Sequence, residues 1–476
     1  MILRHRMRLT VALAALAGLG LRLLFVLKFP ATNSGDAPFY IELAWNWLKN
    51  GVYGMTIDGQ LTAVDMRVPG YPAFLAAVFG LAGNSERAAM LANILVDMAT
   101  CFVMTLIAVR LAARDSRRRV GLAAFVMAAL CPFTANYTAV ALTETLVTFL
   151  TALTLIVLVE TDAGATNLQG AAPEIANKPW FFAGVLAGFG ALVRPETPLI
   201  LGAAGIVLLA KWWRPSDWKK LVRTGLLMAV GLVLPLLPWA ARNYYTLHEV
   251  RFLAPRYSEL PGEVVPRGFT AWTDTWLWRM RDVYLVTWNL NSVEISMDDI
   301  PPTAFDSDQE HDRIEALLDE HNDTLTETNE MDAKFGEIAR ERTARHPLRT
   351  YGEIPFLRCL ALWFTPRVEL LPLAGHLTPL KLEWEEDRRD FVWSLVLVIV
   401  NGVFVLLALI GVCRAWARPG VALLLAFIVL RTVFFAYFVD TPEPRYVLEC
   451  FPAVIALGAL AFERRLSATQ QAPGES

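Results

Sequence analysis

Several charged side chains in this sequence stand where apolar runs meet polar breaks, and their types suit the handling of a phosphate. Asp36 follows the first apolar run. Arg67 precedes Pro69-Gly70-Tyr71-Pro72, and Glu144 follows Thr143 at the head of another run. Arg194 and Glu196 flank Pro195, Arg242 closes Pro238-Trp239-Ala240-Ala241-Arg242, and Arg445 lies in Pro444-Arg445-Tyr446. Guanidinium forks neutralise phosphate oxygens in a fixed geometry. A carboxylate beside them can take a proton from an attacking hydroxyl. Singly, each charge has a plainer role, reaching from a helix end to water. Arg22, about 12 Å inside its apolar run at 1.5 Å per residue, reads most simply as half of a structural ion pair.

The elements that must carry these residues are membrane helices. Of the 476 residues, 55% are hydrophobic and 19% charged, against about 45–50% apolar for a soluble domain. Apolar runs near 10–29, 85–110, 120–137, 143–160, 180–193, 196–211, 223–240, 390–414, 419–438 and 446–462 predict about ten spanning helices. Basic clusters fall at Arg4 to Arg8, Arg110 to Arg119, Lys211 to Arg223, Arg414 with Arg418, and Arg464 with Arg465. With ten crossings, all of them lie on one side, which the positive-inside rule makes cytoplasmic. Arg22 interrupts the first run and no clear A-x-A cleavage site follows, so that run is expected to be an uncleaved first span. Residues 180–211 are expected to form a hairpin rather than one helix kinked at Pro195. Each arm, at about 15 residues or ~22 Å, is short of a full span, so the tip Arg194-Pro195-Glu196 should be recessed in a cavity.

Two segments are expected on the outer side. In the loop 30–84, the periodicity over Ala37–Asn50, with Trp45 and Trp47, predicts a helix in the interfacial plane. A second short amphipathic stretch follows Pro72. The region 243–389 reads as a mixed, mainly helical external domain. Ser307 with Glu310 three residues on predicts one helix start. Another helix ends at His346-Pro347, and Pro347 opens the next. The expected organisation is therefore 1–242, a transmembrane catalytic module that includes the loop 30–84; 243–389, an external periplasmic region; and 390–476, the last membrane helices with a cytoplasmic tail.

On that outer face, arginines around a membrane-level cleft with a carboxylate beside them fit glycosyl transfer from a lipid phosphate. The departing phosphate needs neutralising cations rather than a general acid, and the attacking hydroxyl needs a base. The lipid tail would rest on apolar helices.

At this point the chain resembles the GT-C glycosyltransferases that use polyprenyl-phosphate sugars, bacterial relatives of the protein O-mannosyltransferases and the lipid A aminoarabinose transferase. The resemblance is carried by an ordered set. It begins with Asp36, Tyr40, Ala44, Asn46, Leu48 and Gly51-Val52-Tyr53, and continues with Arg67 to Pro72 and Leu142-Thr143-Glu144. Leu192-Val193-Arg194-Pro195-Glu196, Pro238-Trp239 with Arg242-Asn243, His346-Pro347-Leu348 and Arg445-Tyr446 complete it. It covers roughly residues 10–250 well and is thinner over 345–460. It implies a GT-C-like fold in a bacterial inner membrane, with an active site on the periplasmic side. It also implies Asp36 as catalytic base with Glu144 as the second acid. Arg67 would bind the donor phosphate, and Arg194, Arg242 and Arg445 are candidates for the same role. Tyr40, Tyr71 and Glu196 are candidates for binding substrate. Better-known members carry two adjacent acids in the first loop; here Ala37 stands in place of the second, so a divalent metal is possible but not indicated, and no cofactor is certain. The expected partners are a polyprenyl-phosphate-linked sugar, the bilayer and a glycan, lipid or protein acceptor. A transporter or flippase of a lipid-linked or anionic solute is the alternative; it would place its charges near the midplane and show repeat symmetry.

Other features carry less. A net charge of −3 gives no footprint for nucleic acid. Five cysteines and six histidines show no metal-ligand spacing. Asp306, Asp308, Glu310 and Asp312 alternate like a calcium loop, but His311 stands where that loop needs glycine, and an acidic helix start explains them better. Trp272, Trp276, Trp278 and Trp288 are expected to anchor at the interface rather than to stack on sugar.

Overall fold

The computed structural model describes residues 2–165, 173–255, 264–377 and 380–464. Arg465 with the rest of the C-terminal tail, and the side chains of Arg4 and Arg6, lie outside the described residues. The protein is an all-α polytopic membrane protein. Each apolar segment read from the sequence is helical. Among the described residues, seven helices are long and apolar enough to cross a membrane, and a bent pair, Arg114–Ala129 with Pro132–Ala139, makes up to eight.

The first span, α1 (Ile2–Lys28), leads into the loop 30–84. There α2 (Ala37–Asn50) begins with a proline in its first turn and stops at Gly51, which takes the left-handed conformation (φ 69°) that favours glycine. A hairpin of β1 (Gly54–Ile57) and β2 (Gln60–Ala63) follows. Asp58 and Gly59, both at positive φ, make its turn. Then α3 (Gly70–Ala82) packs on α2; it starts at Gly70, two residues before the expected proline.

The long helix α4 (Glu86–Leu111) is capped by Ser85, whose hydroxyl accepts from Ala88 N at 3.3 Å. Next, α5 (Arg117–Ala129) and α6 (Pro132–Asn136) are bent apart by 40°. Pro132 lacks an N–H and forces Cys131 into an extended conformation, which breaks the helix. Arg22 of α1 is fully buried and donates to Asp97 of α4 at 2.7 Å and to Ala129 O of α5 at 2.7 Å. It is the structural ion pair expected of it.

Then come α7 (Glu144–Ala165), α8 (Pro173–Ala191), α9 (Leu199–Lys211) and α10 (Trp218–Leu247). Glu144, at the start of α7, meets Arg194 at 3.1 Å, while Asp162 near its end meets Lys211 at 2.9 Å. Residues 194 to 211 therefore run alongside α7, and α8 with α9 is a hairpin. Its first arm, α8, is longer than expected because the helix continues back through Pro179 to Pro173. Close contact fixes α8 on α10: a Cβ on Gly231 would stand 2.3 Å from Phe181 O. The basic clusters share the opposite end from Glu144. Arg110 pairs with Glu160 at 2.9 Å, and Arg418 with Glu463 at 2.6 Å.

The region after α10 has its own core. It is built from α11 (Arg267–Thr273), a single turn α12 (Met280–Asp282), α13 (Asp308–Thr324) and α14 (Asn329–Arg345). Ser307 Oγ accepts from Glu310 N, the expected cap. Trp272 and Trp276 are buried among Phe269, Phe335 and Ile338. They fill this core instead of anchoring at an interface, and of the four tryptophans only Trp288 is largely exposed. Nor are Asp306 and Glu310 calcium ligands in waiting: Asp306 pairs with Arg349 at 2.6 Å, and Glu310 with Arg342 and Arg345. Buried Glu327 lies beside Asp332, and burial first, then that carboxylate, pushes its pKa up to about 8.

The chain returns through α15 (Ile354–Phe364) and a short α16 (Leu380–Glu386) to α17 (Arg388–Ala415) and α18 (Val421–Phe438). A 3-10 segment at Pro444–Cys450 then runs into α19 (Phe451–Ala459). The last span is the most buried of all, packed against α17 and α4.

Candidate active site

At the end of the bundle away from the basic clusters lies a cavity of about 650 Å³. Its wall includes Asp36, Tyr40, Arg67, Glu144, Arg194, Glu196, Arg445 and Tyr446, with Phe434, Phe435 and Phe438 on an apolar side. The volume suits a ligand of small-molecule size.

One backbone contact brings the loop 30–84 to the hairpin tip. Gly70 N donates to Leu192 O at 2.6 Å, and a Cβ on Gly70 would stand 2.5 Å from that oxygen. Only glycine allows this approach, and it sets Arg67 across the cavity from Arg194. Tyr53 steadies the same loop, its hydroxyl donating to Arg67 O at 2.8 Å. Asp36 sits at the N-terminus of α2, where helix amides carry partial positive charge, and accepts from Arg67 Nη2 at 2.9 Å. Burial opposes the charge on Arg67, but Asp36, Tyr40 and Tyr53 together hold its pKa above its ordinary value. Burial, then the nearby Asp36 carboxylate, keeps the Tyr40 phenol protonated far above its usual range.

The two acids differ in access. The Asp36 side chain is 33% exposed; that of Glu144 is 3% exposed. Glu144 accepts from Arg194 Nη1 at 3.1 Å and lies 4.0 Å from Arg445 Nη1. Arg194 also holds Glu196 at 2.9 Å, while Arg445 holds Glu443 at 2.6 Å. The Tyr446 ring faces both Arg194 and Arg445 at 5.6 and 5.5 Å and stacks on Phe435.

Two of the expected site residues lie elsewhere. Arg242 donates to Tyr53 O at 2.6 Å and Val64 O at 2.9 Å, and its guanidinium faces the Tyr53 and Trp239 rings. It fastens the β-hairpin to α10 and lines a neighbouring apolar cavity of about 690 Å³, which shares Val193 with the first. Tyr71 is fully buried behind Tyr40, ring to ring at 5.4 Å, and is not on the wall.

The sequence reading missed Arg431 and Glu449, which are buried and paired just beneath the tip. The available signal was a charge inside an apolar run, which in a membrane needs a partner or a purpose. Ala37, where a second acid would stand, is fully buried. The first loop therefore presents to the cavity one carboxylate, Asp36, already paired with Arg67, and no adjacent acid beside it. Among the described residues, the cluster with ligand-like spacing is exposed His311, Asp312 and Glu315, outside the cavity.

The molecule is thus a polytopic helical bundle with a cation-rich, carboxylate-bearing cavity at one end. Residues 67–239 match the sequence profile of the dolichyl-phosphate-mannose-protein mannosyltransferase family. That match, which spans Arg67, Glu144, Arg194 and Glu196, fits the GT-C superfamily of glycosyltransferases. No curated protein sequence matches the chain. Among solved structures, the oligosaccharyltransferase of Archaeoglobus fulgidus, in complex with Zn and sulfate, aligns at 14% identity with a TM-score of 0.49. The alignment covers 94% of this chain and 48% of that one, so this chain spans about half its length. ArnT from Cupriavidus metallidurans in the apo state aligns at 15% identity over 97% of this chain and 78% of that one, TM-score 0.39. Its undecaprenyl-phosphate-bound form aligns at 13% identity over 95% and 77%, TM-score 0.36.

Proposed function

We propose that the protein moves a sugar from a polyprenyl-phosphate donor to a hydroxyl acceptor on the extracytoplasmic side of a bacterial inner membrane, inverting the anomeric centre. The observation that carries this reading is the Asp36 carboxylate, a third exposed, sharing a cavity with Arg67, Arg194 and Arg445. The matched family profile, named for a lipid-phosphate sugar donor, supports it.

In this mechanism the acceptor oxygen attacks the anomeric carbon as the bond to the phosphate oxygen breaks. Asp36 takes the hydroxyl proton. The electron pair leaves with the polyprenyl phosphate, and the arginines stabilise its growing charge. The isoprenoid chain lies in the apolar cavity beside Val193, Pro235 and Trp239. The aromatic wall of Phe434, Phe435 and Phe438 faces the sugar. A transporter of a lipid-linked solute would need its charged site near mid-membrane; here Asp36 and Arg67 lie in the loop between α1 and α3 rather than within a span.

The test compares purified Asp36→Asn with Glu144→Gln, supplied with a radiolabelled polyprenyl-phosphate sugar and water or glycan acceptors. Asp36→Asn is expected to lower transfer by about 10²–10⁴, the usual contribution of a positioned base, while donor binding persists. If Asp36→Asn keeps more than about a tenth of the activity, well short of that loss, and Glu144→Gln abolishes it, the base is Glu144. If neither matters, the transferase reading fails.

A further inference from the structure

Arg194 is over-supplied with carboxylates. Glu144, Glu196 and Glu449 lie 3.1, 2.9 and 3.7 Å from its guanidinium. An arginine so surrounded is poorly prepared for a phosphate, because the incoming anion must compete with acids already in place. The structure also holds a second guanidinium that could take one of those acids away.

That group is Arg431 of α18, fully buried about 10 Å from the helix end at 1.5 Å per residue. Its Nε donates to Tyr446 O at 2.6 Å, and its Nη2 pairs with Glu449. Its Nη1 has no hydrogen-bond partner among the described residues. A buried guanidinium N–H left unpaired is costly and calls for an explanation. Glu196 Oε1, the oxygen that holds Arg194 Nε, lies 4.0 Å from Arg431 Nη2. Glu196 sits on the tip between α8 and α9, so a short swing of its side chain would carry that oxygen from one arginine to the other.

We propose that Arg431 is a positioning residue that receives Glu196 when a lipid phosphate takes Arg194. This rests on the phosphate-clamp reading above. In the ligand-free state Glu196 neutralises Arg194. When the phosphate arrives, it replaces that carboxylate on Arg194, and Glu196 closes the 4.0 Å gap to Arg431. Glu449 stays on Arg431 throughout, held from its other oxygen by Thr151 at 3.4 Å. One anion enters, and every buried acid keeps an arginine beside it; an unpaired one would be penalised heavily in a membrane interior.

The experiment measures binding of radiolabelled polyprenyl phosphate to the purified protein in detergent. Removing Arg431 alone would strand Glu449, so the variant used is Arg431→Gln with Glu449→Gln, which keeps the buried charge balanced; because Glu449 also faces Arg194, it is compared with Glu449→Gln alone, and the folding of both is checked by thermal unfolding. Relative to that single variant, the affinity of the double variant is expected to fall by about tenfold to a hundredfold, the scale of one lost charge-assisted hydrogen bond. Adding Glu196→Gln, which removes the competing acid from Arg194, is expected to restore most of that loss. A merely structural pair would not be rescued in this way. Wild-type protein that binds no polyprenyl phosphate would overturn the clamp reading itself. Wild-type binding with a double variant no weaker than Glu449→Gln, or a triple variant no better than the double, would overturn the role of Arg431 alone.

Discussion

At the scale of single residues, access separates side chains with the same chemistry. Asp36 and Glu144 are both acids at helix starts, yet Asp36 opens to the cavity and Glu144 is sealed beneath Arg194. Arg67, Arg194 and Arg445 face the cavity, while Arg242 spends its N–H groups on backbone carbonyls. Lysine at the first three positions is therefore expected to weaken donor use by about tenfold or more, because an ammonium cannot reproduce the planar fork. Arg242→Lys should act through folding, lowering the unfolding temperature with little change in the donor KM of the folded fraction. Donor kinetics that stay flat for all three cavity arginines would mean they only snorkel. The sequence made these residues legible because each stands at a polar break. It hid Arg431 and Glu449, whose charges were visible inside apolar runs but whose partners are supplied by tertiary contact. Similarly, Tyr71 carried a family motif, but only packing reveals that Tyr40 stands in front of it.

At the scale of elements, local signals worked where local chemistry decides. The helix Ala37–Asn50 was readable to its last residue, since a first-turn proline and Gly51 mark its ends. Ser307 capped the helix it was expected to cap. Local signals failed where burial decides: Trp272 and Trp276 look like interface anchors until α11 and α14 are folded together around them. The hairpin α8–α9 has a directional consequence. Reporter fusions after residues 115, 217 and 416 are expected on one side of the membrane and a fusion at 320 on the other, with the basic clusters inside. A fusion at 217 that reports with 320 would be incompatible with the hairpin.

At the scale of the whole molecule, two cores are built on different terms, one sunk among membrane helices and one between α11, α13 and α14. The second responds to pH through Glu327. Its carboxyl titrates at about 8 when folded, against an ordinary value of 4.5. Between those limits the folded state binds more protons than the unfolded one, so stability present at low pH is lost as pH rises towards about 8. Glu327→Gln is expected to raise the unfolding temperature of this region at pH 8 and to flatten its decline from pH 5; parallel slopes for variant and wild type would remove Glu327 as the cause. The membrane core has a different dependence, on the order in which it is made. Glu144, Arg194 and Glu196 leave the ribosome long before Arg431, Arg445 and Glu449, the residues that complete their cluster. At about 5–20 residues per second, that interval is on the order of tens of seconds. During it, the half-built cluster must sit in or beside the lipid with its acids and cations unbalanced. Until the last span arrives these charges lack their partners, and a chain that has lost that span is expected to be degraded rather than to accumulate in an inactive form.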